Sequence, residues 1–365
     1  MSSKSTRHDE IVAAIRASIV AGEYAPGERL PPRTAVEAEF GASSATVQKA
    51  FDTLAREGFV HSARGSGTVV AEHPPNACRF AVVFDKEPGA PGWTQYYAAF
   101  LQAAQAQDQA GGRRFVPYYG VVANPPSPAY EALLEDAGAH RLAGVIAHSL
   151  QRLQNDSPLL DDDAPPVVMV TASAPRPGMT VLALDNRRWA EIAVARLAHL
   201  GCRRLGVIYV ESLQTLSHLQ DAASAAQMTI PAEWVYRACP CPRGQDGVRD
   251  VVRLLLSRPA PDRPDGLILT DDHFVEAASG GIIEAGLRTP DDLRVVAHAN
   301  FPHVTATALA IERFGFDLEV VLQEGVRAIE ARRRGEAHPE TVRVRPIFGW
   351  SEVHETEGAG SFAVP

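Results

Sequence analysis

Lysine is nearly missing from this chain. Lys4, Lys49 and Lys86 are the only three among 35 Lys and Arg residues. Any chemistry that needs a lysine amine therefore has few places to occur. Cysteine is also scarce, with Cys78, Cys202, Cys239 and Cys241 as the full set of four. Four cysteines in 365 residues do not make a disulfide framework. Cys239-Pro240-Cys241 lacks the Cys-x-x-Cys spacing of common zinc and redox sites, so plain thiols are expected. No stretch reaches the roughly 18 consecutive apolar residues of a membrane span. The polar start MSSKSTRHDE has no apolar leader core, so a soluble, cytoplasmic protein without membrane contact is expected. A Gly-x-Ser-x-Gly elbow, a phosphate-cradling Walker loop, a His-Glu-x-x-His helix and a Gly-x-Gly-x-x-Gly turn are all missing. Catalysis is accordingly not expected, and neither is a cofactor or a metal.

What is present is ordinary globular composition, 45% hydrophobic and 22% charged. The length of 365 suggests two or three domains. Taken whole, the net charge of −9 speaks against coating nucleic acid by bulk charge. Divided by region, it says something else. Residues 1–72 hold eight Lys/Arg against nine Asp/Glu, a net of −1, while residues 73–365 hold 27 against 35, a net of −8.

Residues 7–72 read as a compact unit. Ile11, Ile15 and Ile19 form one helical stripe, ended by Gly22. A second helix is predicted over Arg33–Phe40, ending at Gly41. Ser43 or Ser44 can cap a third, running to about Glu57, whose inner face is Val47, Ala50, Phe51 and Leu54. Phe59–His61 and Thr68–Val70 flank a glycine-rich tip and predict a small hairpin. Boundaries follow: a helix-and-hairpin unit at 1–72, a short stiff linker at 73–78, a larger body at 79–354 and a flexible tail at 355–365.

The first unit resembles the winged helix-turn-helix of GntR-family transcription regulators. The resemblance rests on Pro26-Gly27-Glu28-Arg29-Leu30-Pro31, Phe40-Gly41, Thr46-Val47, Ala50, Leu54, Glu57-Gly58 and Gly65-Ser66-Gly67-Thr68. It implies double-stranded operator DNA as the partner. Ser43, Ser44 and Thr46 at a helix N-terminus suit phosphate, and Gln48 and Lys49 point away from the apolar stripe toward bases. Arg33, and Arg64, Ser66 and Gly67 of the wing, complete the expected DNA-binding set. The family usually has Arg where Ser44 and Gln48 stand, and commonly where Thr34 stands, which puts the usual base preference in question. Ser43 and Thr46 also read as simple caps, and Gln48 as a solvated residue.

Beyond residue 79, apolar strand runs alternate with helical patterns. Strands are predicted at 80–84, 115–119, 144–147, 167–171, 181–184, 205–210, 266–270 and 293–297. Helices are predicted at 95–109, 130–138, 188–200, 213–227, 245–257, 274–286 and 317–334, and an extended tail at 341–348. This alternation implies an α/β body of doubly wound parallel sheets in two lobes. The one lysine of the body, Lys86, follows its first strand, which leaves no Schiff-base lysine for a pyridoxal-type body.

The body resembles the sensor domain of LacI-type regulators, related to periplasmic binding proteins. The supporting stretches are Tyr96-Tyr97 with Phe100-Leu101, Gly144-Val145-Ile146, Val181 to Asn186, Leu200 to Leu205, Asp265 to Asp272 and Ala285 to Val296. The resemblance implies a small effector between lobes, at the C-terminal strand ends. Asp85, Trp93, Tyr96, His148, Asp185, His218, Asp271, Asp272 and Asn300 are the candidate contacts. Aromatic faces with carboxylates and an amide suit a sugar or sugar derivative.

Other readings stay open. Tyr97 and Phe100 also read as core, Asp185-Asn186 as a helix cap, and His148 and His298 as ordinary polar residues. Where the family has Arg and then Gly three residues on, this chain has His218 and Asp221, and the late Asp motif becomes His298-Ala299-Asn300. A homodimeric repressor gated by a small molecule is expected. The alternatives are a cleft enzyme, including a metal at Asp271-Asp272-His273, and a ligand-binding protein with a vestigial helix-turn-helix.

Overall fold

The computed structural model describes residues 6–63, 67–108, 112–148, 157–171, 174–176, 178–210, 215–239 and 242–349. Arg64, Ser66, Cys241 and the expected 355–365 tail lie outside them.

The first unit is three helices and a hairpin. Helix α1 (Arg7–Val20) starts at a capping box, in which the Thr6 hydroxyl accepts the Asp9 N–H and the Asp9 carboxylate accepts the Thr6 N–H. Helix α2 (Arg33–Phe40) ends on Gly41 at φ 56°, a left-handed position that suits glycine. Helix α3 (Ser44–Arg56) is capped by Ser43, not Ser44. Strands β1 (Val60–Ala63) and β2 (Gly67–Val70) pair antiparallel. Ile11, Val36, Val47, Leu54, Phe59 and Val70 fill the core between them. Within the 73–78 segment, Pro75–Cys78 forms one helical turn (α4).

The body holds two six-stranded sheets. The first contains β3 (Arg79–Val83), β4 (Arg114–Tyr118), β5 (Gly144–His148), β6 (Val167–Val170), β7 (Met179–Leu184) and β13 (Thr341–Val344). Its order is β13-β7-β6-β5-β3-β4, and β4, β3, β5, β6 and β7 pair in parallel. The second contains β8 (Leu205–Tyr209), β9 (Val235–Arg237), β10 (Gly266–Leu269), β11 (Arg294–Phe301), β12 (Glu312–Asp317) and β14 (Ile347–Gly349). Its order is β14-β12-β11-β10-β8-β9. The expectation of purely parallel sheets needs correcting at one edge, since β14 runs antiparallel to β12. Strands β9, β12 and β14 were not foreseen as separate strands, and the extended tail splits into β13 and β14 in different sheets.

The connecting helices are α5 (Gln95–Gln107), α6 (Pro128–Gly138), α7 (Asn186–His199), α8 (Thr215–Ala225), α9 (Pro242–Leu256), α10 (Phe274–Glu284) and α11 (Leu318–Arg333). In each sheet the first strand sits beside the second on one side and the third on the other. Chain order thus reverses between β3 and β5 in one sheet and between β8 and β10 in the other. In doubly wound folds, ligands collect at the C-terminal strand ends beside that reversal. By contacts the chain divides into two compact units. One comprises residues 1–89, 103–183 and 322–342, and the other residues 90–102, 184–321 and 343–365.

Candidate functional site

In the first unit, the DNA-reading candidates cluster at the start of α3. The Ser43 hydroxyl accepts the Thr46 N–H at 3.2 Å and lies 2.9 Å from the Thr46 hydroxyl. The remaining first-turn N–H groups are free of helical partners by construction, which suits an anion. Ser44 and Lys49 are exposed. Gln48 donates from Nε2 to Asp52 Oδ1 at 2.7 Å, which fixes its amide on the outer face of α3. The Arg33 guanidinium lies over the Phe51 ring, 5.8 Å from its centroid. Gly67 opens β2 at φ 81°, and a Cβ there would sit 3.2 Å from the Arg29 guanidinium. Arg29 is therefore a basic group at the base of the wing that sequence reasoning left out.

In the body, the candidates separate into groups. Asp85 follows β3 and His148 ends β5, the two neighbouring strands at the first sheet's reversal. Burial holds the His148 imidazole down, at about 4, against the opposing pull of Asp85. It is a neutral ring at neutral pH.

The second sheet gathers more. Asp271 and Asp272 follow β10 beside that sheet's reversal, and His273 leads into α10. His273 Nδ1 lies 2.6 Å from Asp271 Oδ1 and 3.3 Å from Asp272 Oδ1. Its Nε2 accepts the N–H of Gln95, the first residue of α5, at 3.2 Å. A neutral ring with its hydrogen on Nδ1 makes both contacts. Protonation keeps the Asp271 bond and gives up the Gln95 bond. Burial opposes the charged ring, but the hydrogen bonds and charges of Asp271 and Asp272 outweigh it and pull its pKa up to about 9.

Asp272 is 3% exposed and accepts the Asn300 Nδ2–H at 2.8 Å. Asn300 was expected just past its strand, yet β11 continues to Phe301 and carries it inside. Arg313 on β12 is 5% exposed and donates from Nη2 to the Thr305 carbonyl at 2.9 Å. Burial lowers its pKa to about 10, and the Asp272 charge resists that fall. Two buried polar atoms of this group, Asn300 Oδ1 and Arg313 Nη1, have no hydrogen-bond partner among the described residues. One is an acceptor and the other a donor. Ligand-atom positions on Asp271, Asp272 and His273 all lie within 4.8 Å of one another, the spacing of a cation site. However, His273 Nδ1 is committed to Asp271, and a buried guanidinium already balances Asp272. The chemistry suits a polar organic ligand better than a metal.

His298 lies between the rings of Trp189 and Phe316, at 5.7 and 5.8 Å, and burial lowers its pKa. Trp93, Tyr96, Tyr97 and Phe100 form a ring cluster at the start of α5, with Tyr96 stacked on Phe100 at 5.9 Å. Burial raises the Tyr96 phenol. Tyr97 and Phe100 are buried core. Asp185 caps α7, accepting the Arg188 N–H at 3.0 Å. His218 lies within α8. The structure thus joins Asp271, Asp272 and Asn300, and adds Arg313, which sequence reasoning missed, and His273, which it names only as part of an alternative metal site. His273 was visible only as a neighbour of two acids, and Arg313 sits on a strand the apolar pattern did not reveal.

Residues 7–70 match the family of bacterial regulatory proteins, gntR family, and residues 194–349 match a periplasmic binding protein-like domain. The arabinose metabolism transcriptional repressor of Geobacillus stearothermophilus is 23% identical over 304 residues, 80% of this chain and 82% of that one. The mannosyl-D-glycerate transport/metabolism system repressor MngR of Escherichia coli is 40% identical over 67 residues, 18% of this chain and 28% of that one. Among solved structures, a LacI-family regulatory protein from Chloroflexus aggregans has a TM-score of 0.58 at 17% identity, covering 74% of this chain and 96% of that one. A LacI-family regulator from Lactobacillus casei with bound sucrose has a TM-score of 0.55 at 16% identity, covering 74% and 98%. Residues 7–70 therefore carry a helix-turn-helix of the gntR family of bacterial regulatory proteins, and the body has the two-lobed, periplasmic-binding-protein-like fold that LacI-family regulators share.

Proposed function

We propose that this protein is a repressor whose affinity for double-stranded operator DNA is set by a small polyhydroxylated effector. The observation that carries the effector class is the buried group Asp272, Asn300 and Arg313. It offers an unpaired acceptor, an unpaired donor and a carboxylate at the strand ends where doubly wound folds take ligands. A hydroxyl is donor and acceptor at once, so adjacent hydroxyls of a sugar can satisfy both orphaned atoms, each of which is costly to leave unpaired when buried. Asp271 and His273 lie beside this group, and Asp85 and His148 hold the equivalent place in the first sheet. Trp93 and Tyr96 supply faces for the C–H side of a sugar ring. Support for the class comes from the Geobacillus repressor of arabinose metabolism and the sucrose-bound Lactobacillus regulator.

In the first unit, Ser43, Ser44 and Thr46 take phosphate, while Gln48 and Lys49 read bases, with Gln48 presented by Asp52. Arg33, Arg64, Ser66 and Gly67 complete the proposed DNA-binding set. Dimerisation through the body would place two such units on a pseudo-palindromic site. The test is a thermal-shift screen of sugars and sugar acids, repeated with a duplex selected by the protein from a random pool. A sugar that raises the melting midpoint and weakens the duplex is the expected result. Stabilisation by divalent metal alone, or none by any polyol, would overturn the effector assignment.

A further inference from the structure

The DNA-reading unit and the first sheet belong to one compact unit, and they meet at Glu57. This residue caps the C-terminal end of α3, the helix that carries Gln48 and Lys49. Its Oε2 accepts from Arg16 Nη2 of α1 at 2.5 Å, and its Oε1 accepts from Arg141 Nη1 at 3.2 Å. Arg141 lies just past α6, on the approach to β5. It donates from Nη2 to Glu135 at 2.8 Å, and its Nε lies 2.8 Å from Asp136 Oδ1. Asp136 accepts in turn from Arg79 at 2.9 Å and from the Tyr118 hydroxyl. Acidic and basic groups therefore alternate from the far end of the recognition helix into the body. Burial opposes the Arg141 charge, but its bond to Glu135 and the fields of Asp136, Glu57 and Glu135 raise its pKa overall.

This contact differs from an ordinary surface pair. The Glu57 and Arg141 side chains are 13% and 18% exposed. Each is also held by its own side of the junction, Glu57 by Arg16 and Arg141 by Glu135 and Asp136, so joining them costs little extra side-chain freedom. The connecting segment is docked as well. Pro75 is buried next to Gly58, the Ala77 carbonyl accepts from Arg333 at 3.2 Å, and the His73 ring covers Gly112.

We propose that Glu57 and Arg141 are positioning residues for DNA binding: their ion pair clamps the winged unit onto the first lobe, so that the recognition helix is aimed by the body instead of swinging on a tether. The inference does not depend on the effector being a sugar. It predicts that the winged unit moves whenever the α6–β5 corner moves. Arg141 touches no DNA in this scheme and acts only through Glu57.

The test uses the full chain. Amide relaxation in wild-type protein should give the winged unit the same tumbling time as the body. Arg141→Glu should release it, so that its amides tumble faster while those of the body do not. Affinity for a duplex selected from a random pool by the wild type should fall about fivefold or more, the loss expected from about one kcal/mol of lost preorganisation. Arg141→Lys should restore both readouts, and Glu135→Ala, which leaves the Glu57 contact intact, should move neither. Should Arg141→Glu fail to fold, Arg141→Gln is read in the same way. Free tumbling of the winged unit in the wild type would overturn the proposal. So would an unchanged duplex affinity and tumbling time in a folded Arg141 variant.

Discussion

Asp272→Asn isolates the charge at the centre of the second unit. The replacement keeps the shape of the side chain, so no cavity term enters. Its amide oxygen can still accept from Asn300, whose bond to Asp272 is 2.8 Å. What disappears is a buried negative charge whose field Arg313, a guanidinium 5% exposed, feels and which lies 3.3 Å from His273 Nδ1. Removing one partner of a buried charge pair costs about 3–5 kcal/mol, because the remaining charge is stranded. Arg313 keeps its bond to the Thr305 carbonyl, which favours the low end, about 3 kcal/mol. At roughly 2–4 °C per kcal/mol for a unit of this size, the melting midpoint of the body should fall by roughly 6–12 °C. Calorimetry of the full chain reads this directly. Arg313→Met in the same chain should recover most of the loss, since a neutral pair leaves no stranded charge. The reasoning fails if Asp272→Asn shifts the midpoint by less than about 2 °C, or if the two substitutions simply add.

Other consequences can be checked separately. The folded His273 pKa, up at about 9, lies above its ordinary 6.5. Its contribution to stability is therefore complete below pH 6.5 and is lost as pH rises through about 9, which denaturant titrations across that window will show. Asp271→Asn should flatten this dependence. Lys49→Ala should weaken DNA binding across all sequences and reduce the salt slope by about one, whereas Gln48→Ala should relax preference at one base position. Gly315→Ala should destabilise the second sheet by about 3 kcal/mol or more, because a Cβ there would sit 1.7 Å from the Ala299 carbonyl across the β11–β12 pair. Thermal unfolding measures it.

The winged unit was legible because its signals are local. A helix needs only an apolar stripe, a cap such as Ser43 and a stop such as Gly41, and all three lie within a dozen residues. The buried strands were legible as apolar runs for the same reason. The candidate site was legible only in part, because its charges are neutralised by partners far away in the chain. Asn300 looked like a residue beyond a strand because His298 and Asn300 interrupt the apolar run. In the fold His298 packs between Trp189 and Phe316, and Asn300 bonds Asp272, so the strand carries on. Arg313 reads as a surface residue in Glu312-Arg313-Phe314. Only the pairing of β12 with β11 turns it inward, close enough to Asp272 to feel its charge. Glu57 and Arg141, 84 positions apart, carried no sequence signal of their contact.

The order of the strands has a consequence during synthesis. Strand β7 is complete at Leu184, but its edge partner β13 begins only at Thr341. At about 5–20 residues per second, the ribosome needs on the order of ten seconds or more to make the missing strand. Throughout that interval the nascent chain presents β7 as an open edge, a template for pairing with another chain. Helix α11, which packs Ile329 against Gly144 on the first sheet, also arrives late. Premature termination anywhere before residue 341 would leave that edge permanently bare, so truncated products should aggregate instead of accumulating as a folded first lobe.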